Sequence, residues 1–201
     1  MLLSSSSLIS MSANAECTVM VVGDSISTAY GMDIDQGWVA LLQKQINQDS
    51  YTCKIINTSI SGDTSAGGAA RIDQHLSEYH PRIVILELGG NDGLRGLPPY
   101  IIKKNLKAMV DRSLASGAAV VLLGIRIPPN YGKAYTTRFE QIYYQLADET
   151  EVGFVPFLLK GIGDNTELMQ HDGIHPNSTA QHLIMEMVWK QLKPILKKNI
   201  S

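Results

Sequence analysis

The sequence predicts an α/β fold in which one parallel, five-stranded sheet is covered by helices on both faces. Three observations point there. Apolar runs of strand length alternate with helical patterns along the chain. Runs such as Ile83 to Leu88 are almost continuously apolar, as strands buried on both faces must be. Several runs end in Gly, Ser, Asn or Asp, the small residues suited to the carboxyl edge of an open sheet, where ligands collect. With 201 residues, 44% of them hydrophobic, the chain suits a single domain with a substantial core, and it shows no internal repeat or linker.

The first strand is Thr18-Val19-Met20-Val21-Val22, rich in β-branched residues. It breaks at Gly23 and runs into Asp24-Ser25-Ile26-Ser27, so a serine hydroxyl sits just past the strand's end. A helical pattern covers Trp38 to Asn47. A second strand, Cys53 to Thr58, runs into Ser59-Ile60-Ser61-Gly62-Asp63-Thr64-Ser65, followed by a helix over Ala66 to Tyr79. The third strand, Ile83 to Leu88, runs into Gly89-Gly90-Asn91-Asp92-Gly93, and a helix follows over Ile101 to Ala115. Ala118 to Ile127 and Val152 to Leu158 supply the last two strands, with a helix over Thr136 to Glu149 between them. The final helix runs from Ser178 to Lys198 and is expected to be interrupted at Pro194.

A serine hydroxyl is a weak nucleophile unless an imidazole takes its proton, and the imidazole needs an acid to fix its tautomer. Asp172-Gly173-Ile174-His175-Pro176 carries both partners in one turn, and Pro176 restricts His175 to extended or turn backbone. Taken singly, Gly-Asp-Ser and Asp-Gly are ordinary turns. The two together, at opposite ends of an α/β chain, make Ser25, Asp172 and His175 a candidate triad. A tetrahedral oxyanion needs preorganised donors. The N–H groups of Ser25 and Gly62 and the side-chain amide of Asn91 stand at the right strand ends.

These four segments together resemble the SGNH hydrolases, also called the GDSL lipase/esterase family, named for Ser, Gly, Asn and His in four separate blocks. Here those residues are Ser25, Gly62, Asn91 and His175, with Asp172 completing the triad. Gly89 to Gly96, Ile125 to Gly132 and Asp172 to Asn177 are similar to the bacterial multifunctional thioesterase I/protease I/lysophospholipase L1 group. The resemblance covers about residues 17 to 195, and its one small departure is Ile26, where Leu is usual. It implies a flavodoxin-like three-layer sandwich with strand order 2-1-3-4-5. It also implies a serine hydrolase that cleaves carboxylic esters and acyl thioesters through an acyl-enzyme, with no cofactor and no metal. Aryl esters, short- to medium-chain acyl esters and lysophospholipids fall within that class. A carbohydrate O-acetyl esterase is the alternative within the family, and a non-catalytic flavodoxin-like binding module is the alternative outside it.

The residues expected beside the substrate are Asp24, Leu94, Arg95, Pro129, Tyr131 and Ile174. The segments 94–99 and 127–135 are candidate walls of an acyl pocket, with Arg95 either meeting an anionic head group or holding its loop. Asp24 is expected to act through hydrogen bonds, and Asp92 is the second choice for the triad acid. His75, His80 and His182 read as surface or capping residues, and His171 neighbours the catalytic turn but lacks the family's position.

A net charge of −2 gives no electrostatic case for nucleic acid or an anionic membrane, and no stretch after the first residues is apolar and long enough to span a bilayer. The resemblance implies a small acyl ester or thioester as the partner, and a monomer is favoured. Residues 1–15 carry no charge and end Ala13-Asn14-Ala15, the small-residue pattern of a signal-peptidase site. They read as a signal peptide or a disordered tail before a single domain over 16–201. The first choice implies a periplasmic or secreted protein, the second a cytoplasmic one. Cys17 and Cys53 open neighbouring parallel strands in the 2-1-3-4-5 order, so they are expected to form a disulfide at the sheet edge away from the site, which again needs an oxidising compartment. The lysines at 190, 193, 197 and 198 suit the end of the last helix's dipole.

Overall fold

The structure, a computed structural model, describes residues 17–200, so the segment 1–15 lies outside the described residues. Five strands, β1 (Cys17–Gly23), β2 (Cys53–Asn57), β3 (Ile83–Glu87), β4 (Ala119–Leu123) and β5 (Gly153–Val155), pair in parallel in the order β2-β1-β3-β4-β5. This is the expected order. Among the described residues, six α-helices connect and flank the strands: α1 (Trp38–Gln48), α2 (Ser65–Tyr79), α3 (Gly90–Leu94), α4 (Pro99–Ala115), α5 (Lys133–Thr150) and α6 (Gln181–Ile200).

β1, β3 and β4 are buried on both sides because each face carries its own apolar cluster. Val19, Val21, Ile83 and Ile85 pack with Trp38, Leu42 and Ile46 of α1 and with Ile184, Val188 and Leu192 of α6. Met20, Val22, Val84 and Leu86 pack with Ile72 of α2, Leu106 and Met109 of α4, and Phe139 and Tyr143 of α5. Alternate residues of one strand thus feed opposite cores.

The structure differs from the sequence reading in three places. β4 and β5 are shorter than the apolar runs that suggested them, because Gly124 and Pro156 meet there as loop backbone: the Gly124 N–H bonds the Val155 carbonyl at 2.7 Å. Asn91 lies not in a loop but inside the short helix α3. The last helix is not interrupted at Pro194: α6 runs through it, with the buried Leu192 and Leu196 on either side anchoring both halves to the same core. One missing N–H bond does not outweigh that packing. The start of α6 is preceded by a 3-10 turn at Ser178–Ala180, capped by the Asn177 side chain.

β2 is an edge strand. Two devices hold it. Cys17 and Cys53 face each other in register and are disulfide-bonded. On its outer side, Gln43 of α1 accepts from the Ile55 N–H at 2.6 Å and donates to the Cys53 carbonyl at 3.0 Å. The bond closes 36 residues of chain. Reduction, or Cys17→Ser/Cys53→Ser, is expected to cost about 3–4 kcal/mol on the chain-entropy model. Urea unfolding with and without reductant checks this; the bond lies at the opposite end of the sheet from Ser25.

Candidate active site

Three strand ends and one loop build the site. β1 ends at Gly23, which pairs in register with Glu87 of β3. A Cβ on Gly23 would lie 2.8 Å from Glu87 Oε2 and 2.5 Å from Ser27 Oγ, so only glycine lets these two groups close up beneath the turn. The chain then coils sharply: the N–H groups of Ser27 and Thr28 both bond the Asp24 carbonyl, and that of Tyr30 bonds the Ser25 carbonyl. This leaves Ser25 half-buried on the outside of the coil.

His175 arrives from a separate turn whose shape comes from Asp172. One carboxylate oxygen of Asp172 accepts from the N–H groups of Ile174 and His175 at 2.9 and 3.0 Å. The other lies 2.6 Å from His175 Nδ1, and His175 Nε2 lies 2.8 Å from Ser25 Oγ. Gly173 has φ +65, the left-handed backbone the turn requires. Burial pushes the Asp172 carboxyl up, but the His175 N–H and ring and the Ile174 N–H outweigh it and hold the group down at about 2. It is therefore a carboxylate at neutral pH and favours the imidazole tautomer with its proton on Nδ1. The structure brings Ser25, His175 and Asp172 into one chain of hydrogen bonds. Asp92 is not part of it: that side chain is buried and bonds the Ser65 N–H and hydroxyl at 2.8 and 2.6 Å, tying α3 to the start of α2.

The expected oxyanion donors stand on the segments that follow β1, β2 and β3, which are neighbours in the sheet. Gly62 has φ +79, so the β2–α2 loop turns in the left-handed region. Among the described residues, neither the Ser25 nor the Gly62 N–H has an acceptor. The Asn91 amide nitrogen is fixed by two acceptors, the Asp63 carbonyl at 2.9 Å and Asp24 Oδ2 at 3.1 Å. Asp63 is itself clamped by Arg71, which bonds its carboxylate at 2.7 Å and the Thr58 carbonyl at 2.9 Å.

Of the residues expected beside the substrate, Asp24 is the exception. It is only 3% exposed and its carboxylate is taken by the Ile26 N–H and Asn91, so it lies beneath the cleft rather than in it. Leu94, Arg95, Pro129, Tyr131 and Ile174 all reach the surface. The Tyr131 hydroxyl donates to the Leu94 carbonyl at 2.8 Å and that of Tyr135 to the Leu97 carbonyl at 2.7 Å, so the loops 94–97 and 129–135 are one tethered wall. Arg95 reaches the Gly62 carbonyl at 3.4 Å, which fits its loop-holding role. Sequence reasoning missed Tyr30, whose ring lies 4.6 Å from that of His175, and Gln170. The Gln170 N–H bonds the His175 carbonyl at 2.7 Å and its side chain donates to the Tyr30 and Pro176 carbonyls. No spacing pattern announces such a tie between distant turns.

Helix α3 has no room for a side chain at Gly93. A Cβ on Gly93 would lie 2.7 Å from both Ile127 and Phe139. Gly93→Ala is expected to destabilise by about 1–3 kcal/mol through overpacking, read as a lowered urea midpoint, and to lower kcat by moving Asn91.

Comparison with known proteins agrees with this geometry. Residues 21–183 match the model of the GDSL-like Lipase/Acylhydrolase family. The chain is 51% identical over 179 residues to Esterase TesA of Pseudomonas aeruginosa, covering 89% of each chain. It is 40% identical over 191 residues to Thioesterase 1/protease 1/lysophospholipase L1 of Escherichia coli K12, covering 94% of this chain and 89% of that one. A crystal structure of TesA superposes with a TM-score of 0.87 at 50% identity, covering 89% of this chain and 99% of that one. With the family's match spanning the three strand ends that carry Ser25, Gly62 and Asn91 and the loop that carries His175, the chain belongs to the GDSL-like lipase/acylhydrolase family of hydrolases.

Proposed function

We propose that the protein is a serine hydrolase that cleaves carboxylic esters and acyl thioesters through an acyl-enzyme on Ser25. The observation that carries the reading is the unbroken chain from Ser25 Oγ through His175 to Asp172, at 2.8 and 2.6 Å. Ser25 attacks the acyl carbonyl while His175 Nε2 takes its proton, and the Asp172 carboxylate stabilises the resulting imidazolium. The Ser25 and Gly62 N–H groups receive the oxyanion, joined by the Asn91 amide when one of its two N–H groups turns to it from Asp24 or the Asp63 carbonyl. His175 then gives the proton to the departing alkoxide or thiolate. Water repeats the cycle on the acyl-enzyme and frees Ser25.

The surroundings support an acyl substrate. Tyr30, Ile60 and Ile174, exposed by 51, 53 and 42%, come from the same loops that carry Ser25, Gly62 and His175. The wall made by 94–97 and 129–135 adds Leu94, Pro129 and Tyr131. Large apolar groups left in water at a catalytic edge suit a hydrocarbon chain. The relatives' names, an esterase and a thioesterase with lysophospholipase activity, are of the same substrate class. The disulfide supports export to an oxidising compartment such as the periplasm, with residues 1–15 as the leader of a single domain over 16–201. The protein would act as a monomer.

Ser25→Ala is expected to abolish turnover and labelling by a fluorophosphonate while the circular dichroism spectrum and melting curve stay as in wild type. Asp172→Asn should lower kcat by about 10⁴-fold, because the wrong imidazole tautomer then faces Ser25. A p-nitrophenyl ester series from acetyl to palmitoyl, run against acetylated sugars, reads the acyl preference. Faster turnover of the sugars than of every medium-chain ester would favour the O-acetyl esterase alternative, and equal rates for wild type and Ser25→Ala would overturn the serine-hydrolase reading.

A further inference from the structure

The nucleophile and its base sit on segments that share no strand or helix. Ser25 lies on the coil after β1, and His175 lies on the loop between β5 and α6, 150 residues further along the chain. Proton transfer between them needs a held distance, and a misplacement of about 1 Å can cost about 10²-fold in rate. The reacting contact cannot hold itself, because it breaks and reforms in every cycle. Some other contact must keep the two segments in place.

Gln170 supplies it. Its side-chain nitrogen donates to the Tyr30 carbonyl at 2.7 Å and to the Pro176 carbonyl at 3.1 Å. Its backbone N–H bonds the His175 carbonyl at 2.7 Å, and the Tyr30 N–H bonds the Ser25 carbonyl at 3.2 Å. The contacts close a ring: from Ser25 to Tyr30, to Gln170, to His175, and from His175 Nε2 back to Ser25 Oγ at 2.8 Å. Among the described residues, the bond from Gln170 to Tyr30 is the one hydrogen bond, besides the reacting pair, that joins the coil 24–31 to the loop 169–177. The Tyr30 ring, 4.6 Å from the His175 ring, spans the same gap.

Two features suit Gln170 to this task. Both partners of its amide are carbonyls, so only a nitrogen with two N–H groups can meet them. Gly31, next to Tyr30, has φ +76, and a Cβ there would run into Gln170 Oε1, so the coil leaves a slot for this side chain. The turn that carries His175 has bonds of its own. Asp172 accepts from the Ile174 and His175 N–H groups, the Gln170 carbonyl accepts from the Gly173 N–H at 3.0 Å, and the Leu168 carbonyl accepts from the Asn177 N–H at 2.8 Å. None of these uses the Gln170 side chain.

We propose that Gln170 is a positioning residue for the general base: its side chain locks the Asp172–His175 turn onto the Tyr30 carbonyl and so holds His175 Nε2 within reach of Ser25 Oγ. This rests on the reading of Ser25 as nucleophile and His175 as base. Asp172 orients the ring within the turn, and Gln170 places the whole turn. Gln170 need not touch substrate.

Gln170→Met keeps the length of the side chain and loses both donors. Its kcat on a p-nitrophenyl ester should fall about 10- to 100-fold with KM little changed. Fluorophosphonate labelling of Ser25 should slow in step, while the melting curve stays near that of wild type. A wild-type kcat would overturn the proposal, and so would a loss carried by KM alone, which would make Gln170 part of the substrate site. Gln170→Glu has the same shape but sets carboxylate oxygens against the two carbonyls. It should be at least as slow as Gln170→Met; a Glu variant with wild-type kcat would show that donation is not what holds the turn, and would overturn the proposal as well.

The pH dependence of kcat/KM separates placing the turn from building it. The titratable groups that face His175 are Asp172 in its own turn, Tyr30 on the coil and Asp24 beneath it, and all three are kept in Gln170→Met. The variant should therefore show the wild-type midpoint at a lower plateau. A shifted midpoint would mean that His175 has parted from Asp172 and the turn itself has come apart, which would overturn the positioning role. Ser25→Ala in the same assay keeps the two readings apart: if it matches wild type the hydrolase reading falls, and if only Gln170→Met matches wild type the tie alone falls.

Discussion

Three of the four pieces of the site depend on the parallel pairing of β1 with β2 on one side and β3 on the other. Parallel strands end at the same edge, and the register places Gly23 against Glu87 and Val21 against Asn57. The three segments that follow, with Ser25, Gly62 and Asn91, must then leave the sheet side by side. Antiparallel neighbours would have put Gly62 or Asn91 at the far end. The hydrogen bonds that finish the site follow from that nearness: the Thr58 N–H on the Val21 carbonyl, the Ile60 N–H on the Gly23 carbonyl, and Asn91 on Asp24 and Asp63.

The fourth piece is placed differently. His175 comes from a loop with little regular structure, so no strand fixes it. Local hydrogen bonding does the work: Asp172 folds the turn around itself, an isolated bridge joins Met169 to Pro176, and Gln170 ties the turn to Tyr30. Asp172 thus has two tasks, which is one physical reason for the short spacing to His175. One oxygen of the carboxylate shapes the backbone and the other orients the ring.

Much of this was legible in the sequence because the signals are local. Apolar runs gave the strands, and Gly-Asp-Ser and Asp-Gly-Ile-His-Pro fall where such residues bend a chain. The Cys17–Cys53 pair followed once the strand order was set. What escaped was whatever depends on packing between distant segments. The end of β4 is decided by a contact with the backbone of Pro156, not by its own apolar run through Ile127. Pro194 looks like a break until the buried Leu192 and Leu196 are seen on both sides of it. Glu87 looks like a polar residue at the end of an apolar strand, with nothing to say that it is wholly buried beneath the nucleophile. Asp24, next to Ser25 in sequence, points under the site because the coil after Gly23 turns its side chain inward.

The outer edge of β2 bears on how the molecule meets others of its kind. An open strand offers a row of free N–H and carbonyl groups, and a strand from another molecule can add to it. Here Gln43 already occupies the Cys53 carbonyl and the Ile55 N–H, standing in for the strand that would otherwise dock. At the opposite margin β5 is only three residues long, too short a template for an invading chain. One glutamine side chain and one truncated strand thus close both borders of the sheet against runaway growth, leaving the catalytic edge as the part of the sheet that faces outward for chemistry.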